Sequence, residues 1–259
     1  MSKKPDFKLQ LERLYTWSAV GYVGLAILAV LLMANATFPV SIGHLAKDVL
    51  ASQKSAVLVP GARLVLDLPI KWLVFATLLL STILPVLYLT RLKKQYEKAV
   101  KQRVMPWRWV DLGVTSALMM GVVALLSGLH DIATLKLVGG FMVVTCSLGW
   151  LAEKSVTDGK KLAKPIFITS LLTGALPWLP IAVSAVATPF FAAVRAPWYV
   201  YALYVELLAG FTLLALNQWR YIKKDKNWKE YLFVERNYTV LSIATRVAFA
   251  VTLIVGLLK

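Results

Sequence analysis

Seven long apolar stretches dominate this sequence of 259 residues and limit what it can fold into. Each is about 20 residues long, enough for a helix to cross the hydrocarbon core of a bilayer. Because lipid offers the backbone no hydrogen-bond partners, we expect helices rather than an open sheet. The stretches predict an all-α membrane protein with one seven-helix domain over residues 1–259. The predicted spans are residues 17–38, 68–90, 107–129, 134–152, 165–187, 198–219 and 238–258.

The composition agrees with a multi-pass membrane protein and disfavours a soluble domain. Hydrophobic residues make up 59% of the chain and charged residues 16%, whereas soluble domains carry about 25% charged residues. No convincing small-residue cleavage site ends the first apolar stretch, so we expect it to remain as an anchor. We therefore expect a location in the cell membrane, with the lipid bilayer as a partner.

The basic residues are distributed unevenly between the two sides of the predicted bundle. Residues 3–13, 91–108, 154–164 and 220–236 hold 21 of the 29 lysines and arginines. In a seven-span chain all four segments lie on one side, so the positive-inside rule places the N-terminus in the cytoplasm and the C-terminus outside. This basic face explains the net charge of +16 without a nucleic-acid partner. It also offers a surface to a cytoplasmic protein partner.

The first external loop, residues 39–67, has a pattern typical of a short β-hairpin. Two alternating segments, residues 55–59 and 63–68, flank a break at Pro60-Gly61, which predicts two strands joined by a turn there. An exposed strand edge with valine and leucine can pair with or cover a neighbouring subunit. The alternative is a lid over the protein's own helix ends.

Three ionisable residues stand out within the predicted helices: Asp111, Glu206 and Arg246. An arginine in lipid costs roughly 3 kcal/mol by insertion scales, so Arg246 requires a partner inside the protein. Its side chain leans toward the N-terminal, cytoplasmic end of its helix, and therefore toward the level of Asp111. The alternatives are a local pair of Asp111 with Arg108, and a shallow Glu206 at the external interface.

Helical spacing also favours a meeting of the third and seventh spans. Residues three or four apart share a helix face. One such face carries Glu235, Tyr238, Ser242 and Arg246, and another carries Asp111, Thr115 and Met119. Because the two faces bear opposite charges, we expect them to meet inside the bundle as an Asp111–Arg246 ion pair.

Signals for catalysis or metal binding are weak. Neither His44 nor His130 has a second candidate ligand at useful spacing, so we expect no metal site. Cys146 is interpreted as a small packing residue. The sequence shows no nucleophile paired with a base, and we therefore expect a protein that is not an enzyme.

Local strings at consistent spacing run through nearly the whole chain. They are RWVD at 108–111, LGWLAEK at 148–154, PW at 177–178, NWKEYL at 227–232, ER at 235–236, Tyr238, and VLS at 240–242. These strings and the inside N-terminus resemble the heliorhodopsins, whose orientation is the reverse of ordinary microbial rhodopsins. The resemblance implies a rhodopsin-like seven-helix bundle, a β-stranded first external loop and a homodimer.

The resemblance also implies an all-trans retinal, held as a protonated Schiff base by a lysine in helix seven with a helix-three carboxylate as counterion. The counterion position falls on Asp111 and the lysine position on Arg246. Two histidines of the family's cytoplasmic half fall on Val23 and Leu84. Positions that line the retinal pocket fall on Ser116, Met119, Trp178, Phe211 and Ser242.

Arginine at position 246 departs from that chemistry. A Schiff base forms from a neutral amine, whereas a guanidinium stays protonated. The lysines of the chain sit in loops or at the ends of the predicted spans. We therefore expect no covalent cofactor, and retinal could bind only non-covalently.

Three functions remain open. The first is a light-independent sensor or scaffold in which an Arg246–Asp111 pair replaces the protonated Schiff base and its counterion. The second is a retinal photoreceptor with a non-covalent chromophore, or one in which Arg246 was engineered in place of a lysine. The third is an ion or small-solute transporter using Asp111, Glu206 and Arg246, although no broken-helix pair or inverted repeat supports it.

Overall fold

The computed structural model describes residues 7–48, 58–191, 195–225 and 227–259 as a helical bundle with one two-stranded sheet. Seven helical segments in this described part are long and apolar enough to cross a membrane, so the prediction of seven spans is confirmed. The helices are α1 (Phe7–Leu32), α2 (Ile70–Leu89), α3 (Lys93–Gln102), α4 (Pro106–Leu126), α5 (Ile132–Thr157), α6 (Ala163–Ala175), α7 (Trp178–Phe191), α8 (Trp198–Lys223) and α9 (Tyr231–Gly256).

The spans correspond to the long helices, with α6 and α7 together forming the fifth span. The sequence predicted one uninterrupted fifth span, but the helix breaks at Leu176 and Pro177. Proline has no N–H to donate within a helix, and its ring clashes with the preceding turn. α3 is a short polar helix between the second and third spans.

Two further spans had boundaries that were predicted wrongly. α1 begins before Trp17 and ends at Leu32 rather than Phe38, and Phe38 belongs to a strand. A continuous apolar run does not by itself distinguish a helix from a buried strand. α9 begins at Tyr231, seven residues before the predicted start at Tyr238. Its first two turns carry charged residues, which a search for apolar windows leaves out.

The first external loop contains an antiparallel hairpin of β1 (Thr37–Lys47) and β2 (Leu58–Pro69), so a hairpin there is confirmed. The predicted strand positions were wrong, because residues 58–59 and 63–68 of the two predicted strands both lie in β2. Residues 55–57 lie outside the described part. Pro60 and Gly61 form no turn, since they pair with Leu45 and His44 within the sheet. A two-stranded sheet has only edge strands, where a proline is tolerated.

The hairpin lies against the α4–α5 connection of its own chain. The Ser41 N–H donates to the His130 carbonyl at 2.9 Å, and the Gly43 N–H donates to Asp131 Oδ1 at 3.4 Å. The Phe38 and His130 rings stack with centroids 6.0 Å apart. These contacts are those of a lid over the protein's own helix ends. Pairing of the hairpin with a second subunit stays a prediction.

Acidification is expected to loosen this contact. Asp131 is the N-cap of α5, and its Oδ2 accepts a hydrogen bond from the Thr134 N–H at 2.8 Å. That bond, with a weaker one from the Gly43 N–H, holds the pKa of Asp131 below its ordinary value. A carboxylate with a lowered pKa stabilises the fold above its ordinary pKa and loses that contribution as the pH falls through the lowered value.

Protection of the Gly43 amide from hydrogen exchange should therefore fall as the pH drops below about 4, the ordinary pKa of an aspartate, after correction for the intrinsic pH dependence of exchange. Mass spectrometry of peptides from residues 37–47 measures it. Asp131→Asn cannot titrate and should show no such loss in the same range. A wild-type profile as flat as that of the variant would contradict the prediction.

The buried core has different chemistry at the two ends of the bundle. Toward the hairpin it is aliphatic, with residues such as Met33, Ile70 and Met120 fully buried. Toward the basic end it is rich in tyrosine: Tyr15, Tyr88, Tyr96, Tyr221, Tyr231 and Tyr238. Tyrosine hydroxyls give polar partners to charged side chains, and the buried ion pairs lie in or beside this half.

Candidate functional site

Arg246 lies near the middle of α9 and is only 4% exposed. Its Nη2 lies 2.5 Å from Asp111 Oδ2 and donates to Thr115 Oγ1 at 2.8 Å. Asp111 and Thr115 are one turn apart on α4, so one face of that helix receives the guanidinium. The pair therefore joins the third and seventh spans inside the bundle.

A small polar cavity of about 40 Å³ lies beside this ion pair and is also lined by Arg108 and Glu235. It is about the size of one water molecule. Ser242 lines it one turn before Arg246, and Leu84, at one of the expected histidine positions, lines it from α2. The Tyr22 ring centroid lies 5.9 Å from the Arg246 guanidinium carbon, within reach of a cation–π attraction. The charge is thus enclosed by protein rather than by lipid.

A second buried cluster, which the sequence did not predict, lies one turn toward the basic end. Arg108 does not pair with Asp111. Its Nη2 lies 2.6 Å from Glu153 Oε1, and its Nη1 contacts Glu235 Oε2. All three side chains are at most 6% exposed. We call them the Arg108 cluster. With both glutamates ionised it carries a formal charge of −1, and it links α4, α5 and α9.

Aromatic side chains enclose the Arg108 cluster and satisfy its oxygens. Glu153 accepts hydrogen bonds from Trp109 Nε1 at 2.6 Å and from the Tyr231 hydroxyl at 2.8 Å. Glu235 accepts one from the Tyr15 hydroxyl at 3.3 Å. The Tyr238 ring centroid lies 3.9 Å from the Arg108 guanidinium carbon. A buried charge is tolerated when it is paired and hydrogen-bonded in this way.

One available signal could have revealed this cluster. Glu153 and Glu235 both lie in the strings that carry the family resemblance, at the end of the fourth span and the start of the seventh. The predicted spans ended at residue 152 and began at residue 238, so both carboxylates fell outside them, although helical spacing had placed Glu235 on the same face as Arg246. α5 and α9 extend past those limits and bring them inside.

An apolar cavity of about 650 Å³ lies between α4, α5, α6, α8 and α9. This volume is within the range of small-molecule pockets, about 300–1,000 Å³. Of the expected pocket residues, Ser116, Trp178 and Phe211 line it. Met119 lies instead in the aliphatic core and Ser242 in the small polar cavity. The lining of the apolar cavity does not include Arg246.

Glu206 stands apart from both clusters. It is half-buried on α8, and its Oε1 accepts a hydrogen bond from Thr252 Oγ1 at 2.6 Å. Its other oxygen has no hydrogen-bond partner among the described residues. Glu206 therefore links α8 to α9 nearer the hairpin end. The structure does not join it to Asp111 and Arg246 in one polar path.

The sequence of the chain matches a known protein family over most of its length. A sequence model described as heliorhodopsin matches residues 11–258. The chain belongs to the heliorhodopsin family. Among proteins with curated descriptions, none matches it. The seven-span, multi-pass architecture and the hairpin in the first external loop are thus those of a heliorhodopsin-type membrane protein.

Covalently bound retinal, which the resemblance implied, does not fit the residues at this heliorhodopsin site. A Schiff base needs a lysine amine, and neither the apolar nor the polar cavity has a lysine in its described lining. The Arg246 guanidinium is engaged by Asp111 and Thr115. No chemical step through retinal is assigned to these residues.

Proposed function

We propose that this heliorhodopsin acts without light, as a sensor or scaffold in the cell membrane. Arg246 stands at the position of the Schiff-base lysine, and Asp111 stands at that of the counterion. The observation that carries the proposal is the buried Arg246–Asp111 ion pair. It supplies permanently the cation–carboxylate pair that a chromophore would otherwise complete.

The physical chemistry of arginine supports this assignment. Its guanidinium keeps its proton and offers donors in a planar fork, so it can hold both Asp111 and Thr115. A lysine Schiff base can lose its proton, and its charge can therefore act as a switch. Arginine keeps its charge and therefore cannot act as such a switch. This favours a permanent link between α4 and α9 over a link that changes with light.

The remaining features of the proposal concern partners. The basic end of the bundle binds a cytoplasmic protein, and the hairpin contacts a second copy of the chain in a homodimer. The proposal is not enzymatic, because neither buried cluster combines a nucleophile with a base. Both are ion pairs closed by hydrogen bonds.

Purification from cells supplied with all-trans retinal tests the proposal. We expect the wild-type protein to show no visible absorption band that hydroxylamine bleaches. Arg246→Lys restores an amine beside Asp111 and should produce such a band, whereas Arg246→Met, which has no amine, should not. A hydroxylamine-sensitive band in the wild type would end the proposal.

The apolar cavity supports a second candidate, a photoreceptor that binds retinal or another polyene non-covalently. Its volume and its Trp178 and Phe211 walls suit an elongated apolar molecule. Organic extraction of the purified wild-type protein followed by mass spectrometry would detect such a ligand. Stoichiometric retinal without a hydroxylamine-sensitive band would favour this candidate over the retinal-free one.

A further inference from the structure

A groove of about 300 Å³ lies between α8 and α9 near the basic end of the bundle. It shares Leu216 with the apolar cavity and no lining residue with the polar one. Two arginines line it, Arg220 near the end of α8 and Arg236 near the start of α9. Both belong to the segment with the last cluster of basic residues.

Neither arginine is neutralised by a carboxylate. Among the described residues, the ion pairs involve neither Arg220 nor Arg236, and no acidic residue lines the groove. Glu235, the immediate neighbour of Arg236, is turned to Arg108. The groove therefore presents two positive charges that the protein itself does not balance.

Trp228 lies at the polar end of the groove and is fixed there by contacts with neighbouring side chains. Its indole Nε1 donates to Asn217 Oδ1 at 2.8 Å, and its ring packs edge-on against Phe233. The Arg220 guanidinium carbon lies 4.7 Å from the Trp228 ring centroid. At this distance a cation–π attraction holds the guanidinium at the ring. Because none of the ion pairs among the described residues engages its N–H donors, Arg220 can bind a phosphate oxygen.

The rest of the groove is apolar and faces lipid. Leu216 and Leu213 line it on α8, one and two turns deeper than Arg220, and both are nearly half exposed. Val240, one turn past Arg236 on α9, lines the other wall. With a rise of 1.5 Å per residue, this apolar part extends about 10 Å into the bilayer. The positive charges of the groove lie at the membrane surface and its apolar walls lie below them. This order matches a phospholipid, whose phosphate lies at the surface and whose acyl chains lie below it.

We propose that this groove is a binding site for an anionic phospholipid. Arg220 and Arg236 would hold the phosphate, the Trp228 ring would lie at the level of the glycerol backbone, and one acyl chain would lie along Leu213, Leu216 and Val240. Basic pockets between helices on the cytoplasmic side bind anionic headgroups in this way. The proposal is independent of whether the heliorhodopsin binds retinal.

Native mass spectrometry of the detergent-purified protein tests the site with two probes, phosphatidylglycerol and phosphatidylcholine. We expect phosphatidylglycerol to bind more tightly, and Arg220→Gln or Arg236→Gln to weaken it about fivefold each. Lys161→Gln removes an exposed basic residue from another loop on the same face and should leave its affinity unchanged. Equal weakening by all three substitutions would show only a general surface attraction and would overturn the proposal.

A substitution on the apolar wall separates a lipid from a free anion. Val240→Trp fills the groove at a lipid-exposed position and leaves both arginines in place, so it should also weaken phosphatidylglycerol binding. Soluble glycerol 3-phosphate lacks the acyl chains and should not displace the lipid at equal concentration. Displacement by glycerol 3-phosphate, or unchanged lipid binding in Val240→Trp, would contradict a phospholipid site. Unfolding temperatures verify that each variant is folded.

Discussion

Arg108→Met is expected to lower the free energy of unfolding by about 3–5 kcal/mol. The substitution removes the only cation of the Arg108 cluster and leaves Glu153 and Glu235 facing each other, both essentially inaccessible to solvent. Two uncompensated carboxylates in a low-dielectric interior repel each other and lack the solvation that water would provide. Methionine keeps much of the side-chain volume, so the loss reports charge rather than a cavity.

Thermal unfolding in detergent, followed by circular dichroism, measures this effect. Arg91→Met is the matched control, because Arg91 is exposed on the same basic face and its loss should change stability by less than about 0.5 kcal/mol. Glu153→Gln combined with Arg108→Met removes one of the stranded charges and should recover part of the loss. Equal stability of Arg108→Met and Arg91→Met would contradict the buried cluster.

Asp111→Asn is expected to destabilise the protein by a similar amount, about 3–5 kcal/mol, because it leaves the Arg246 guanidinium buried without a counter-charge. Asparagine keeps the shape of the side chain and one acceptor oxygen. The loss therefore isolates the charge. Asp158→Asn, on an exposed residue 3.8 Å from Lys160, is the matched control and should have little effect.

A double-mutant cycle with Arg246→Met distinguishes an ion pair from two independent residues. If the two side chains form one pair, the double variant should be more stable than Asp111→Asn alone, since it no longer contains an unpaired buried charge. Strictly additive losses would show that Asp111 and Arg246 act separately. That result would also remove the main support for a permanent replacement of the Schiff base.

Much of this fold could be predicted from the sequence because a bilayer permits few solutions. Apolar stretches of about 20 residues must become helices, and seven of them were recognised correctly. The partner of Arg246 was predicted on physical grounds: a buried cation needs a carboxylate, and the lean of its side chain indicated the level of Asp111. The ion pair seen between these residues has that geometry.

The Arg108 cluster could not be predicted in the same way. Charged residues near helix ends ordinarily lie in water, and no local spacing distinguishes Glu153 from a solvated carboxylate. Helical spacing placed Glu235 on one face with Arg246 but did not indicate Arg108 as its partner. What buries them is the length of α5 and α9 beyond the apolar windows and the tyrosine-rich packing around them. Likewise, Pro60-Gly61 resembled a turn because nothing local revealed its partners Leu45 and His44, which lie 15 and 17 residues earlier in the chain.

By itself the sequence determined the membrane class, the seven spans, the basic end and the need for a partner to Arg246, since each follows from the cost of exposing polar groups or charges to lipid. Tertiary structure alone decided which carboxylate each buried arginine received, and that Arg246 does not line the apolar cavity. The reason is geometric. Ion pairs between α4, α5 and α9 depend on how helices distant in sequence are rotated and how far they extend, and neither quantity is encoded in local spacing.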